Sequence, residues 1–245
     1  MLNVLRKTAI LALLFVSGTC FGQYSDEQLY EAYMSSDLTL WGEYIAHTKW
    51  DTLSAEGRTR LINYYYGYIP FRHDNGGKDC RALLDTYWAL IRRHQDVLTE
   101  SEYKTFLSSA YAYEYLLDHG RIFSDGMKSF KVAKEAVEAD ENNPLALALK
   151  GNVDFYAPKL FGGSKKRAMR AFLKAEKIMH NDAKYRYYWN YPSLQLCIAQ
   201  CYEKQGDLDE AIEQCRKLLA EHPHFAYVRD EYLPALLKKK SKKED

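Results

Sequence analysis

Proline is scarce in this chain, at 6 of 245 residues. So are the β-branched aliphatics, with 7 valines and 9 isoleucines against 30 leucines and 24 alanines. That bias excludes a sheet-rich fold and favours helices. Net charge is also nearly absent, since 34 Lys and Arg face 33 Asp and Glu. Bulk attraction to nucleic acid is thereby excluded. The five cysteines form no CxxC pair, so neither a disulfide scaffold nor a zinc-knuckle pattern is present. Long apolar runs are missing after residue 22, and no later segment could span a membrane. HExxH, GxSxG, Walker and dinucleotide GxGxxG signatures are absent too. With 47% apolar and 27% charged residues, the composition is that of a globular protein and excludes disorder throughout.

The start of the chain is different. Arg6 and Lys7 precede an apolar stretch, Thr8 to Val16, and then small residues up to Gly22. This is the layout of a secretory signal peptide, with cleavage expected after Gly22. The expected location is the periplasm or the exterior. Lipidation at Cys20 is the alternative, although Ser17 and Thr19 stand where the acylation pattern wants an apolar and a small residue. Export permits disulfides among Cys80, Cys197, Cys201 and Cys215. Buried thiols are the simpler reading.

The most regular segment runs from Tyr191 to Pro223. Leu194, Ile198, Cys201 and Tyr202 lie at helical spacing, and Gly206 stands where a left-handed residue ends the helix. Asp207 is the expected cap of a second helix, with Glu210 three residues on. Ala211, Cys215, Leu218 and Leu219 form its apolar face, and Pro223 stops it.

On these residues the segment resembles a tetratricopeptide repeat. Ala199 and Ala211 hold the small positions where paired helices touch, Tyr202 the late aromatic and Pro223 the closing proline. Gln195 and Leu218 depart from the pattern. The resemblance implies an all-α, right-handed solenoid of stacked antiparallel hairpins. It also implies a concave groove built from first helices, with Leu196, Gln200, Glu203 and Lys204 facing inward. Asn152 and Tyr156 are their expected neighbours in the preceding unit.

Looser copies precede this one. Residues 156–175 and 68–89 share Tyr, Pro, Gly-Gly, Arg, Ala and Ala in order, which reads as an internal repeat. In it Pro70 and Pro158 open lengthened turns, and Ala82 and Ala168 hold equivalent small positions. Thr99 and Glu102 offer a capping box, and Ser164 can cap the helix after Gly162-Gly163. The expected organisation is a signal peptide over 1–22, a helical segment over 23–53, hairpins near 54–95, 99–140, 144–180 and 183–222, a capping helix over 224–237 and a basic tail over 238–245.

Three further features bear on function. The cluster Ser164-Lys165-Lys166-Arg167 at a helix start could hold an anion, but it lacks phosphate-loop spacing. His222 and His224 flank a proline without a third ligand, so no metal is expected. Tyrosine is abundant, 21 of 245, in runs at 64–68, 111–115 and 185–191. These rings suit interhelical packing, or an aromatic groove. The expectation is a non-catalytic exported scaffold that binds a protein or peptide and carries no cofactor. A small-ligand or glycan binder with a Tyr-lined groove is the alternative. No nucleic acid is expected, and membrane contact would require lipidated Cys20 or the basic tail.

Overall fold

The computed structural model describes residues 24–244. The expected signal peptide and the acylation site Cys20 lie outside the described residues. Among those described there is helix and no strand, and none of the helices is long and apolar enough to cross a membrane. Two short helices, α1 (Asp26–Met34) and α2 (Thr39–His47), come first. Four helical pairs follow. They are α3 (Ala55–Asp74) with α4 (Cys80–Arg93), α5 (Glu100–Leu117) with α6 (Met127–Ala139), α7 (Pro144–Tyr156) with α8 (Lys165–His180), and α9 (Asn190–Gln205) with α10 (Leu208–Glu221). The last helix is α11 (Leu233–Glu244).

Local chemistry explains the boundaries. Thr99 and Glu102 form a reciprocal capping box at the start of α5. The Ser164 hydroxyl accepts the Arg167 amide at the start of α8. Gly206, at φ +95°, ends α9 in the left-handed region that glycine enters without penalty. Asp207 precedes α10, but its side chain makes no capping bond, which corrects the box expected there.

Pro70 does not open a turn: α3 runs through it to Asp74. A proline inside a helix strands the carbonyl four residues earlier. Here that carbonyl belongs to Tyr66, and the Tyr113 hydroxyl of α5 donates to it at 2.5 Å. A tertiary bond thus replaces the lost helical one. The equivalence of Ala82 with Ala168 also fails. Ala168 and Ala175 are fully buried, whereas Ala82 and Ala89 are exposed, and α4 buries Cys80, Leu84, Tyr87 and Ile91 instead. The inner positions therefore sit two residues earlier, at Cys80 and Tyr87. A two-residue shift turns a helix by about 200°, which exchanges its inner and outer faces.

The segment before the pairs clamps the two ends of the stack. Trp41 and Tyr44 pack their rings on Tyr64 of α3, with centroids 4.8 and 5.2 Å away. Tyr30 and Met34 of α1 share a core with Ala199, Ala211 and Phe225 of the C-terminal unit. The Tyr30 hydroxyl also meets His222 Nδ1 at 2.6 Å. Between the ends, Trp189 packs on Tyr33, Trp41 and Tyr66. Asn63 of α3 and Asn190 of α9 exchange two buried hydrogen bonds, at 2.8 and 3.2 Å. Burying two side-chain amides requires such mutual pairing.

The basic tail is helical as far as Glu244, so α11 outlasts the expected end at 237. Lys239 donates to Glu203 at 2.8 Å, and Lys240 pairs with Asp209. The four cysteines among the described residues are free thiols. Burial raises Cys201 to about 11 and Cys197 and Cys215 to about 12, so all three stay protonated near neutrality.

Candidate functional site: an apolar pocket between the second and third pairs

The residues expected to line a concave groove do not form one open surface. Leu196 is 8% exposed and packs in the core shared with α1 and α10, which corrects its inward placement. Glu203 is engaged by the Tyr232 hydroxyl at 3.0 Å and by Lys239, so it ties down the C-terminal helix. Those two partners hold its carboxyl below the usual range against the effect of burial. Gln200 is half-buried and Lys204 exposed. Asn152 is half-buried, hydrogen-bonds Tyr66 and accepts from the Cys197 thiol at 3.6 Å. With Tyr66 stacked on Tyr113 at 6.2 Å, the inner sides of α3, α5, α7 and α9 meet along an aromatic seam.

Tyr156 is the exception. It is 70% exposed, and it is the one tyrosine of the 21 that counts as exposed. Its neighbours explain why this matters. Phe123 is 74% exposed, Leu160 88% and Met127 41%, and these residues lie in or beside the turns that follow α5 and α7. Met127 and Tyr156 line a pocket of about 180 Å³. Its walls are Ala112 and Tyr115 of α5, Ile122 and Gly126 of the intervening π-helical turn, Met127, Ser129 and Phe130 of α6, Val153 and Tyr156 of α7, and Ala157 and Pro158 beyond it.

The backbone builds this opening in two ways. Ile122–Gly126 is a π-helical turn, a wider coil than α-helix, so it carries Ile122 and Phe123 outward before α6 begins. Opposite, Pro158 ends the helical path, and the chain detours through Gly162 and Gly163 to Ser164, whose amide returns to the Asp154 carbonyl at 2.8 Å. The detour leaves Tyr156 exposed at the pocket wall.

The anion reading of residues 164–167 is corrected by the same geometry. Arg167 is turned onto Asp154 and the Gly162 carbonyl. The Lys165 ammonium sits 4.1 Å above the Phe155 ring and donates to the Phe155 carbonyl. Burial lowers the Lys165 pKa, and the charge of Lys204 adds to that. Only Lys166 of the three cations is exposed without an ion-pair partner.

No group of three or more His, Cys, Asp or Glu able to hold a metal occurs among the described residues. The buried acids Asp125 and Asp154 are each neutralised by two cations. Sequence reasoning named Tyr156 but missed Phe123, Met127 and Leu160. The signal available was a phenylalanine, a methionine and a leucine in or beside helix-breaking turns.

Fold and site together define an all-α helical-repeat protein with a small apolar pocket. Residues 192–225 match the tetratricopeptide repeat family. A solved structure of similar fold is the HusA haemophore from Porphyromonas gingivalis, at 17% identity and a TM-score of 0.54. The match covers 75% of this chain and 96% of that one. No curated protein matches the sequence.

Proposed function

We propose that this chain is an exported, non-catalytic interaction module. On this reading it seats one apolar side chain of a partner protein in the pocket between α5, α6 and α7. The observation that carries the reading is the apolar-walled pocket lined by Met127 and Tyr156, both of them exposed. Patches of exposed apolar residues around a pocket mark interaction sites. Size chooses the occupant. About 180 Å³ is close to the roughly 150 Å³ that accommodates a benzene ring, and it falls below the roughly 300 Å³ at which sites for whole small molecules begin. A single Phe, Trp or Leu anchor fits that volume, and such anchors supply most of the energy at protein interfaces.

Indole and p-cresol, the side chains of Trp and Tyr, test this as probes. At millimolar concentration they should shift the backbone amide resonances of Ala112, Gly126 and Val153. Val153→Trp, which fills the pocket, should abolish those shifts. Unmoved resonances in the parent chain would remove the reading.

The haemophore of similar fold favours a second reading, in which the pocket grips one edge of a planar apolar ligand while Tyr156 and Phe123 cover its face. Titration with protoporphyrin IX followed by absorbance separates the two. Export rests on the Arg6-Lys7 start, the apolar run and the small residues to Gly22. Mass spectrometry of the protein from its own cells should find Gln23 at the N-terminus. An acylated Cys20 would replace secretion by membrane anchoring.

A further inference from the structure

The two stretches that build the pocket, residues 112–131 and 150–167, carry eight basic and four acidic side chains, whereas the whole chain carries a net +1. The acids are spent internally. Glu114 is buried and bonded by Arg81 at 3.0 Å and Arg121 at 2.8 Å. Asp125 is buried against Arg121 at 2.6 Å, with Lys128 at 3.8 Å. Asp154 is buried between Lys150 and Arg167. Asp118, the one exposed acid of the four, caps its own turn at the Gly120 amide. Within these two stretches the solvent side is therefore left to cations, although the exposed Asp74 of α3 lies near enough to act on Tyr156. Lys159 follows the wall residue Pro158, and Lys166 lies at the start of α8; both are exposed, and neither makes an ion pair. Lys131 follows the wall residue Phe130, and its side chain is 78% exposed with only a 3.8 Å contact to Glu135.

We propose that the partner segment docking here is acidic, with one apolar anchor side chain for the pocket and Asp or Glu residues beside it for Lys131, Lys159 and Lys166. This rests on the reading of the pocket as an anchor site. The physical division of labour is plain. The ring in the pocket supplies affinity. The exposed lysines, each weak alone in water, jointly favour an acidic approach and select against basic segments. Binding should therefore weaken with salt, because solvent-exposed charges are screened within about 10 Å at 0.1 M.

A random peptide library displayed on phage tests the proposal. It is selected on the full chain and counter-selected on the double variant Phe123→Ser/Tyr156→Ser, whose two positions are exposed and leave the core intact. Circular dichroism melts verify that every variant folds. Enriched peptides should combine Phe, Trp or Leu with two or more Asp or Glu. Labelled copies should bind about tenfold more weakly to Lys159→Glu/Lys166→Glu, and more weakly again as salt is raised to about 0.3 M. Amide replacement of the peptide's acids should produce a similar loss. Enrichment of neutral or basic peptides, or affinity indifferent to charge reversal and salt, overturns the acidic partner and leaves the anchor pocket standing. Failure to select any peptide that distinguishes the chain from Phe123→Ser/Tyr156→Ser overturns both. Protoporphyrin IX bound at this opening, with no peptide selected, would assign the site to a small ligand and likewise overturn the peptide occupant.

Discussion

Tyr113→Phe should strand one buried carbonyl. The hydroxyl of Tyr113 donates at 2.5 Å to the carbonyl of Tyr66, which lost its helical partner because residue 70 is proline. Deleting that hydroxyl leaves the ring packing in place but removes the donor. A buried acceptor left unsatisfied costs about 1–3 kcal/mol. In a domain of this size each kcal/mol moves the melting midpoint by about 2–4 °C. The decisive measurement is a double-mutant cycle with Pro70→Ala, by urea unfolding. Alanine restores an amide at position 70, which can bond the Tyr66 carbonyl within the helix. Tyr113→Phe should then cost clearly less in the Pro70→Ala background than in the parent. A coupling energy near zero would refute the claim that the tyrosine replaces the missing helical bond. An unchanged midpoint for Tyr113→Phe alone would refute it as well.

Two further outcomes are expected. Burial holds His222 below the ordinary imidazole pKa, against a smaller opposing effect of Glu221. Its proton is bound more readily by the unfolded chain, so stability present at pH 7.5 declines as pH falls below about 6.5. His222→Asn should shrink the loss of melting temperature between about pH 7.5 and 5.5, and equal losses in both proteins would exclude His222 as a source. A Cβ on Gly163 would run into the Ala157 carbonyl, whereas one on Gly206 meets open space and suffers only the left-handed φ of +95°. Gly206→Ala should cost about 1 kcal/mol and Gly163→Ala more, and the reverse ranking of urea midpoints would contradict the described turn.

Much of the helical character was legible in short-range patterns. The capping box at Thr99 and Glu102, the left-handed stop at Gly206 and the buried small faces at Ala199 and Ala211 depend on residues a few positions apart. The packing role of most tyrosines followed from their spacing on helices, and 20 of the 21 are wholly or partly buried. The register of α4 was not legible. Ala82 looked like a repeat position, but two extra residues after Pro70 rotated the helix and placed Cys80 and Tyr87 inside. Asp207 resembled a cap and is not one, because cap geometry depends on φ and ψ as well as on residue type. The pairing of the basic tail was not legible either, because Lys239 and Lys240 find acids on α9 and α10 that only folding brings near.

By itself, then, the sequence determined an all-α chain of paired helices with one recognisable tetratricopeptide repeat, because helix propensity, caps and a 3.6-residue apolar period act over a single turn or two. Tertiary structure alone decided the rest. It carried α3 through Pro70 by lending the Tyr113 hydroxyl, filled the interior with Trp189, which lies more than a hundred positions from the Tyr33, Trp41 and Tyr66 rings it packs on, and left Tyr156 outside while its fellows were wholly or partly buried. Those outcomes depend on which distant surfaces meet, and no local pattern encodes that.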